Sequence, residues 1–161
     1  EQKFLFELGD SSLSEHQYDD SVAYFAKSIV TSFNDDQRAE GYKGLSRAYY
    51  GKKKLDKSIE YGLKAANTFQ RIGALNEYAD LQVQLAAHHL ENLAPDRSLK
   101  ILIKLEQFAA TNGSRYYEAK SLLEQSLILK TKGETSKYKD ALNKGRSIAN
   151  SIGAKDLLLI E

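Results

Sequence analysis

The chain has 161 residues, which suits one domain or one uninterrupted repeat array. Its composition, 42% hydrophobic and 28% charged, is that of a globular protein and argues against a disordered or fibrous chain. The net charge of +1 by itself says nothing about nucleic acid, but residues 1–36 carry eight acids and two bases, while the rest carries 14 acids and 21 bases. We interpret this polarity as drift of solvated helix faces; orientation of a partner is the alternative.

The chain has no cysteine, which excludes a disulfide framework and a thiolate metal site. No apolar run approaches the roughly 20 residues that span a bilayer, and the start Glu1-Gln2-Lys3 has no signal-peptide pattern. We therefore expect a soluble segment whose compartment stays open, with the cytoplasm favoured. The absence of methionine indicates an excised segment, so a signal or membrane helix could lie outside it.

Apolar periodicity predicts four helix pairs along the chain. The predicted units span about residues 1–35, 36–74, 75–114 and 115–154 of one array covering 1–161. The predicted helices lie near 2–14 and 17–32, 36–51 and 54–72, 76–92 and 95–111, and 115–132 and 135–151. The only proline, Pro95, stands at a helix start, where its missing N–H is tolerated. Residues 155–161 would open a further helix, either a cut fifth repeat or a solvated cap.

A glycine recurs every 40 residues and closes three of these units. Gly73, Gly113 and Gly153 each follow an apolar-periodic run, which predicts a repeated left-handed helix end. The same interval links two columns of small residues, Ala39, Ala79, Ala119 and Ser46, Ala86, Ser126. The first unit is offset by 37 residues because its closing loop is shorter. A period of this length predicts a helical repeat protein.

The pattern resembles the tetratricopeptide repeat family, whose first helices carry a large apolar residue, then Leu-Gly, then Tyr. The matching residues are Leu5, Leu8-Gly9, Tyr42, Leu45-Ser46, Tyr49 and Leu85-Ala86. The resemblance implies an all-α fold, a right-handed superhelical solenoid of antiparallel helix pairs. The family's usual unit has 34 residues, and units of 40 resemble those in bacterial signalling and regulatory proteins.

No constellation in the sequence predicts catalysis, a metal site or a cofactor. His88 and His89 are adjacent and so diverge by about 100° on a helix, whereas a helical metal pair needs i and i+4. We interpret His89 as a packed histidine in the helix interface. The cluster Lys52-Lys53-Lys54-Lys57 is interpreted as a solvated turn rather than a nucleic-acid site, because the equivalent turns do not repeat it. We expect no enzyme and no nucleic-acid partner.

In the family, the first helix of each pair lines a concave groove, and the register then implies the groove residues. They are Lys3, Phe6, Asp10 and Leu13; Glu40, Lys43, Arg47 and Tyr50; Asp80, Val83, Ala87 and Leu90; and Lys120, Leu123, Leu127 and Lys130. The groove should turn apolar toward its C-terminal half, which is typical of an interaction surface. The alternative is that tight curvature buries these positions between helices.

We predict a scaffold that holds a protein or peptide segment, such as an amphipathic helix, in this groove. Occupation by the chain's own next segment or by a second copy, which would give a homo-oligomer, stays open. The alternative function is a peptide-responsive regulatory or sensor module that controls an output domain. Lys43 and Arg47 have the spacing of the family's clamp for C-terminal carboxylates, but Asp10 would repel a carboxylate, so we expect no clamp.

Overall fold

The structure, a computed structural model, describes residues 2–160, with only the backbone of Gln2. These residues form eight α-helices and one 3₁₀ turn. The helices are α1 (Gln2–Ser14), α2 (Tyr18–Val30), α3 (Asp35–Gly51), α4 (Leu55–Ile72), α5 (Leu75–Glu91), α6 (Pro95–Thr111), α7 (Arg115–Thr131) and α8 (Thr135–Ile152). All eight predicted helices are present, with ends within two residues of the prediction. We call α1, α3, α5 and α7 the A helices and the others the B helices.

The left-handed glycines lie where the 40-residue period predicts them. Gly73, Gly113 and Gly153 have φ values of 77°, 71° and 70°. At each, the N–H of the following residue donates to a carbonyl five residues back, as Ala74 N does to Phe69 O at 2.9 Å. This bond satisfies a carbonyl that the helix end would otherwise leave unpaired. The repeated glycine therefore marks a repeated backbone geometry.

The chain divides into two compact units, Glu1–Leu81 and Gln82–Glu161, and the boundary falls inside α5. In the first unit, α1 packs on α2 and α3, and α3 packs on both α2 and α4. In the second unit, α7 packs on α6 and α8. The sequence predicted four repeat units of about 40 residues in one continuous array. Both the division into four units and the single array stay predictions.

The core of the first unit forms around Phe25 of α2, which is 1% exposed. Its ring lies against two glycines: a Cβ placed on Gly9 would come within 2.7 Å of it, and one on Gly44 within 2.4 Å. Small serines also join neighbouring helices, since Ser21 Oγ of α2 donates to Gly9 O of α1 at 2.9 Å and Ser46 Oγ of α3 to Ser58 O of α4 at 2.8 Å. The absence of side chains at the glycines lets α1 and α3 approach the ring closely.

In the second unit, α7 is buried on nearly every side. Its apolar residues Leu122, Leu123 and Leu129 join a core cluster with Ile148 and Leu157. Such all-round burial identifies α7 as the central helix of this unit.

The segment after Gly153 does not form the ninth α-helix that the sequence suggested. It forms a 3₁₀ turn at Leu157–Leu159, packed on α7 and α8. Leu157 is 2% exposed, whereas Leu159 is 82% exposed. One buried leucine thus anchors the segment to the second unit.

One ion pair occurs at equivalent places in both units. Lys52, just after α3, bonds to Asp19 in the first turn of α2, and Lys132, just after α7, bonds to Asp96 in the first turn of α6. Both lysines therefore connect the end of an A helix to the start of the preceding B helix.

Candidate partner-binding surfaces

The A-helix face of the first unit is polar and internally paired. Arg47 of α3 donates to Asp10 of α1 at 2.9 Å, and both side chains are about half exposed or more. Lys43 lies 3.4 Å from Glu40, with its ammonium 5.8 Å from the centre of the Phe69 ring. Arg47, which a carboxylate clamp would need free, is therefore occupied by Asp10.

Aromatic side chains flank this charged pair. Phe6 is half-buried, with its ring centre 6.2 Å from that of Phe25, so it belongs partly to the core. Tyr50, in the last turn of α3, is 41% exposed. Of these two predicted groove residues, Tyr50 is the more exposed to a partner.

In the second unit the predicted residues of α5 are accessible. Val83 is half-buried, Ala87 is exposed, and Leu90 is 44% exposed. On α7, Lys120 and Lys130 hold their ammonium groups 5.8 Å and 5.9 Å from the ring centres of Tyr116 and Tyr138. These lysines cover tyrosine rings within their own unit.

The expectation that Leu123 is exposed is wrong. Leu123 is 0% exposed and its Cγ would lie 2.9 Å from a Cβ on Gly145, so it points at α8 across the space that this glycine leaves. Leu127 is half-buried. The apolar stripe on α7 is therefore mainly core. These positions agree with the alternative interpretation of the sequence, in which they are buried between helices.

Sequence reasoning missed Glu124, which lies on α7 near Lys120. Burial raises the pKa of the Glu124 carboxyl, and the charge of Lys120 opposes that rise. Glu124 occupies the register position of Gly44 and Gln84. A comparison of the three residues at this repeat position could have pointed to Glu124, because it is the only acidic one.

The histidines of α5 are buried, at 4% exposure for His88 and 9% for His89. Burial lowers the pKa of both imidazoles, and His89 Nδ1 has no hydrogen-bond partner among the described atoms. Among residues 2–160, no group of three or more His, Asp or Glu side chains is arranged to hold a metal ion. His89 is placed as a packed core residue.

The lysine cluster does not act as one patch. Lys52 is bound to Asp19, and the ammonium of Lys57 lies 5.1 Å from the centre of the Tyr49 ring. Lys53 and Lys54 are exposed in the turn. Two of the four charges are thus already engaged by neighbouring groups.

A pocket of about 600 Å³ opens on the second unit between α6 and α8, with α7 as its floor. Its apolar lining comes from Leu99, Ile103, Leu122, Leu129 and Ala141, and its rim carries Glu106, Lys132, Glu134, Lys137, Asp140 and Lys144. Gln125, also in the lining, donates through Nε2 to Leu102 O at 3.3 Å and Glu106 Oε2 at 3.1 Å. No pattern in the sequence predicts this pocket.

The fold is similar to solved helical repeat structures. The crystal structure of aspartyl phosphate phosphatase F from Bacillus subtilis superposes with a TM-score of 0.83, at 10% identity over 98% of this chain and 42% of that chain. The chain has a tetratricopeptide-like fold. BtubC (BKLC) from P. vanneervenii matches with a TM-score of 0.51, at 12% identity over 92% of this chain and 80% of that chain.

The predicted all-α repeat fold of tetratricopeptide type is therefore confirmed. No protein-family model and no curated protein sequence matches the chain. The chain spans 42% of the length of the B. subtilis phosphatase. In the described residues, no helix is long and apolar enough to cross a membrane.

Proposed function

We propose that the chain is a protein-interaction module whose A-helix faces hold a segment of a partner polypeptide. The observation that carries this proposal is an exposed large side chain at one repeat position. Tyr50 lies in the last turn of α3 and Leu90 lies 40 residues later in α5, with exposures of 41% and 44%. Exposed aromatic and aliphatic side chains of this kind are typical anchors of protein interfaces.

The charges near Tyr50 favour one kind of partner. Arg47 and Lys43 are each close to an acid of the same unit, at 2.9 Å and 3.4 Å. A free carboxylate or phosphate would have to break these pairs, which opposes its binding. We therefore propose a mixed peptide segment for the A-helix face of each unit, with an apolar side chain on Tyr50 in the first unit or on Leu90 in the second. In the first unit, polar groups of the peptide would lie beside the ion pairs.

Binding without catalysis is part of the proposal. The buried His88 and His89 lie in the core rather than beside an open surface. Because the fold is similar to that of an aspartyl phosphate phosphatase, the sharpest check is hydrolysis of acetyl phosphate, an acyl phosphate like aspartyl phosphate. We expect no turnover above the uncatalysed rate.

A displayed library of random peptides, selected on the immobilised chain, tests the groove. We expect each selected peptide to lose about tenfold or more in affinity with Tyr50→Asp or with Leu90→Asp, according to the unit that it binds, because burying the new carboxylate against an apolar side chain is costly. Leu63→Asp in α4 is the matched control, since Leu63 is 41% exposed but lies on a B helix. Peptides that bind the wild type and all three variants with equal affinity would refute the proposal that the A-helix faces hold them.

A peptide-responsive regulatory module is the second candidate function. It is favoured by the similarity to part of the B. subtilis phosphatase, which shows this fold within a longer chain. A selected peptide should then change the radius of gyration of the chain measured by X-ray scattering. An unchanged radius at saturating peptide would favour the simple scaffold.

A further inference from the structure

The first unit contains a stack of three tyrosines where α4 packs on α3. Tyr61 of α4 lies between Tyr42 and Tyr49 of α3, with ring centres 6.2 Å and 5.4 Å away and interplanar angles of 29° and 8°. Lysines cover the stack, since Lys64 Nζ is 4.7 Å from the centre of Tyr61 and Lys57 Nζ is 5.1 Å from that of Tyr49. The first unit thus fills the groove beside Tyr42 and Tyr49 of α3 with the ring of Tyr61.

The second unit has the same groove without the ring. Helices α7 and α8 begin and end 80 residues after α3 and α4, so each position has a direct equivalent. Tyr61 corresponds to Ala141, and Tyr42 and Tyr49 correspond to Leu122 and Leu129. Ala141, Leu122 and Leu129 all line the pocket of about 600 Å³. The pocket therefore exists where the first unit places Tyr61.

The cations of the stack are retained although the central ring is not. Lys137 and Lys144 stand at the positions of Lys57 and Lys64, and both border the pocket. A ring seated at Ala141 would meet the leucine floor on one side and these lysines at the rim. An ammonium group over an aromatic face is attracted by the negative face of the ring.

The charges at the rim are balanced, which favours an uncharged ligand. Lys144 binds Glu106 at 2.8 Å, and Lys137 binds Glu134 at 2.7 Å. With Lys132 and Asp140, the rim carries three cations and three anions. An anionic ligand would face the three acids, and a cationic ligand would face the three lysines. A neutral aromatic ring is complementary to both, since it offers apolar surface to the leucine floor and an electron-rich face to the ammonium groups of the rim.

We propose that this pocket receives a tyrosine side chain of a partner polypeptide, in the place that Tyr61 takes in the first unit. The site is separate from the A-helix face: Leu122 and Leu129 point one way from α7, whereas Lys120 and Leu127 lie roughly 150° around the helix at about 100° per residue. The volume exceeds that of one ring and also holds residues beside the tyrosine, as peptide pockets do.

The test uses a displayed library of nonapeptides with a fixed central tyrosine, selected on the wild-type chain, and fluorescence anisotropy to measure each selected peptide. Ala141→Tyr supplies the missing ring from within, so we expect it to weaken binding about tenfold or more. Asn143→Tyr is the matched control, because it places the same ring at an exposed position of α8 outside the pocket lining and should keep the affinity. Replacing the central tyrosine of the peptide by alanine should cause a similar loss, whereas phenylalanine should retain most binding.

A second variant makes the test independent of how Ala141→Tyr folds. Tyr61→Ala removes the ring of the first unit and should create a second site for the same peptides, seen as a binding stoichiometry of two. Equal affinity of the peptides for wild type and a folded Ala141→Tyr would overturn the proposal, as would a library that yields no tyrosine-dependent binder. Loss of binding with Leu90→Asp but not with Ala141→Tyr would overturn the pocket proposal and place the peptides on the A-helix face.

Self-association provides the last outcome. Phe33 is 90% exposed in the turn after α2, so a second copy could offer an aromatic ring as well. Sedimentation of the wild-type chain should show a monomer across the concentration range used for binding. Self-association that Ala141→Tyr and Phe33→Ser both abolish would assign the pocket to a second copy and overturn its assignment to a different polypeptide.

Discussion

Single residues decide how closely the helices of the first unit approach each other. Phe25 fits because Gly9 and Gly44 present no side chain to its ring. The sequence analysis found Gly9 through its Leu-Gly motif, but the distance to Phe25 depends on which helices meet. Close packing of this kind leaves no room for even one added methyl group.

Gly44→Ala should therefore destabilise the chain. The new Cβ would lie 2.4 Å from Phe25 Cδ1, so the ring or the helix must shift. We expect a loss of about 1–3 kcal/mol in the free energy of unfolding, measured by urea denaturation. Phe25→Leu in the same chain should recover part of this loss by removing the clashing ring edge; a Gly44→Ala protein as stable as wild type would contradict the packing described.

Left-handed residues also occur in the turns inside the helix pairs, where the sequence did not predict them. Lys53, Leu93 and Gly133 have φ values of 56°, 53° and 73° and are spaced by 40 residues. Only one of the three is glycine, so no residue type marks the column. The turn geometry of the repeat imposes the conformation on the other two, at a cost of about 1 kcal/mol or more each.

Leu93→Gly should stabilise the chain by about 1 kcal/mol, because glycine adopts this φ without strain. Leu93 is 90% exposed, so little buried area is lost. The reverse change, Gly133→Ala at the equivalent turn, should destabilise by a similar amount. Thermal denaturation of both variants checks the pair, and a lower melting temperature for Leu93→Gly would argue against strain at this turn.

At the scale of helices, periodicity located α1 to α8 but did not decide which faces stay exposed. Helix α7 carries apolar residues on several sides, and its sequence alone suggested an exposed stripe through Leu123 and Leu127. The stripe is mostly buried because α6, α8 and the 3₁₀ turn pack around α7. A face is exposed only when no other element covers it, and that depends on the tertiary arrangement.

Helix α5 carries a pH dependence because it buries two histidines. Burial lowers the pKa of His88 and His89 below the ordinary value of 6.5, and Arg97 lowers that of His89 further. As the pH falls toward 6.5 and below it, the histidines of the unfolded chain therefore bind more protons than those of the folded chain. The folded state then loses stability. We expect the free energy of unfolding to decrease between about pH 7.5 and about pH 5.5.

His89→Leu should reduce this decrease, because leucine is the residue at the equivalent buried position 129 and cannot take up a proton. Urea denaturation of wild type and variant at both pH values gives the comparison. The same pH dependence in both proteins would show that the protonation of His89 is not linked to folding.

At the scale of the whole chain, Phe25 and Leu157 lie in core clusters of different compact units. Phe25 belongs to the cluster with Leu45 and Ala48, whereas Leu157 belongs to the cluster with Leu123 and Ile148. Repeat proteins draw their stability from each repeat and its nearest neighbours, so distant core changes act independently.

Phe25→Ala should cost about 3–5 kcal/mol and Leu157→Ala about 2–5 kcal/mol in free energy of unfolding. The double variant should show the sum of the two losses to within about 0.5 kcal/mol. Leu159→Ala, at an exposed position of the same 3₁₀ turn, is the control and should change little. A coupling well above that limit would mean that the two cores fold as one.

The sequence by itself determined the repeat, its helices and its left-handed glycines, because local periodicity and the backbone freedom of glycine act within a few residues. It also determined the register that relates Tyr61 to Ala141. Only the tertiary structure decided that Leu123 is core, that Arg47 is bound to Asp10, and that a pocket opens at Ala141. Burial, ion pairing and empty space depend on which side chains meet across helices, and that is set by packing rather than by spacing along the chain.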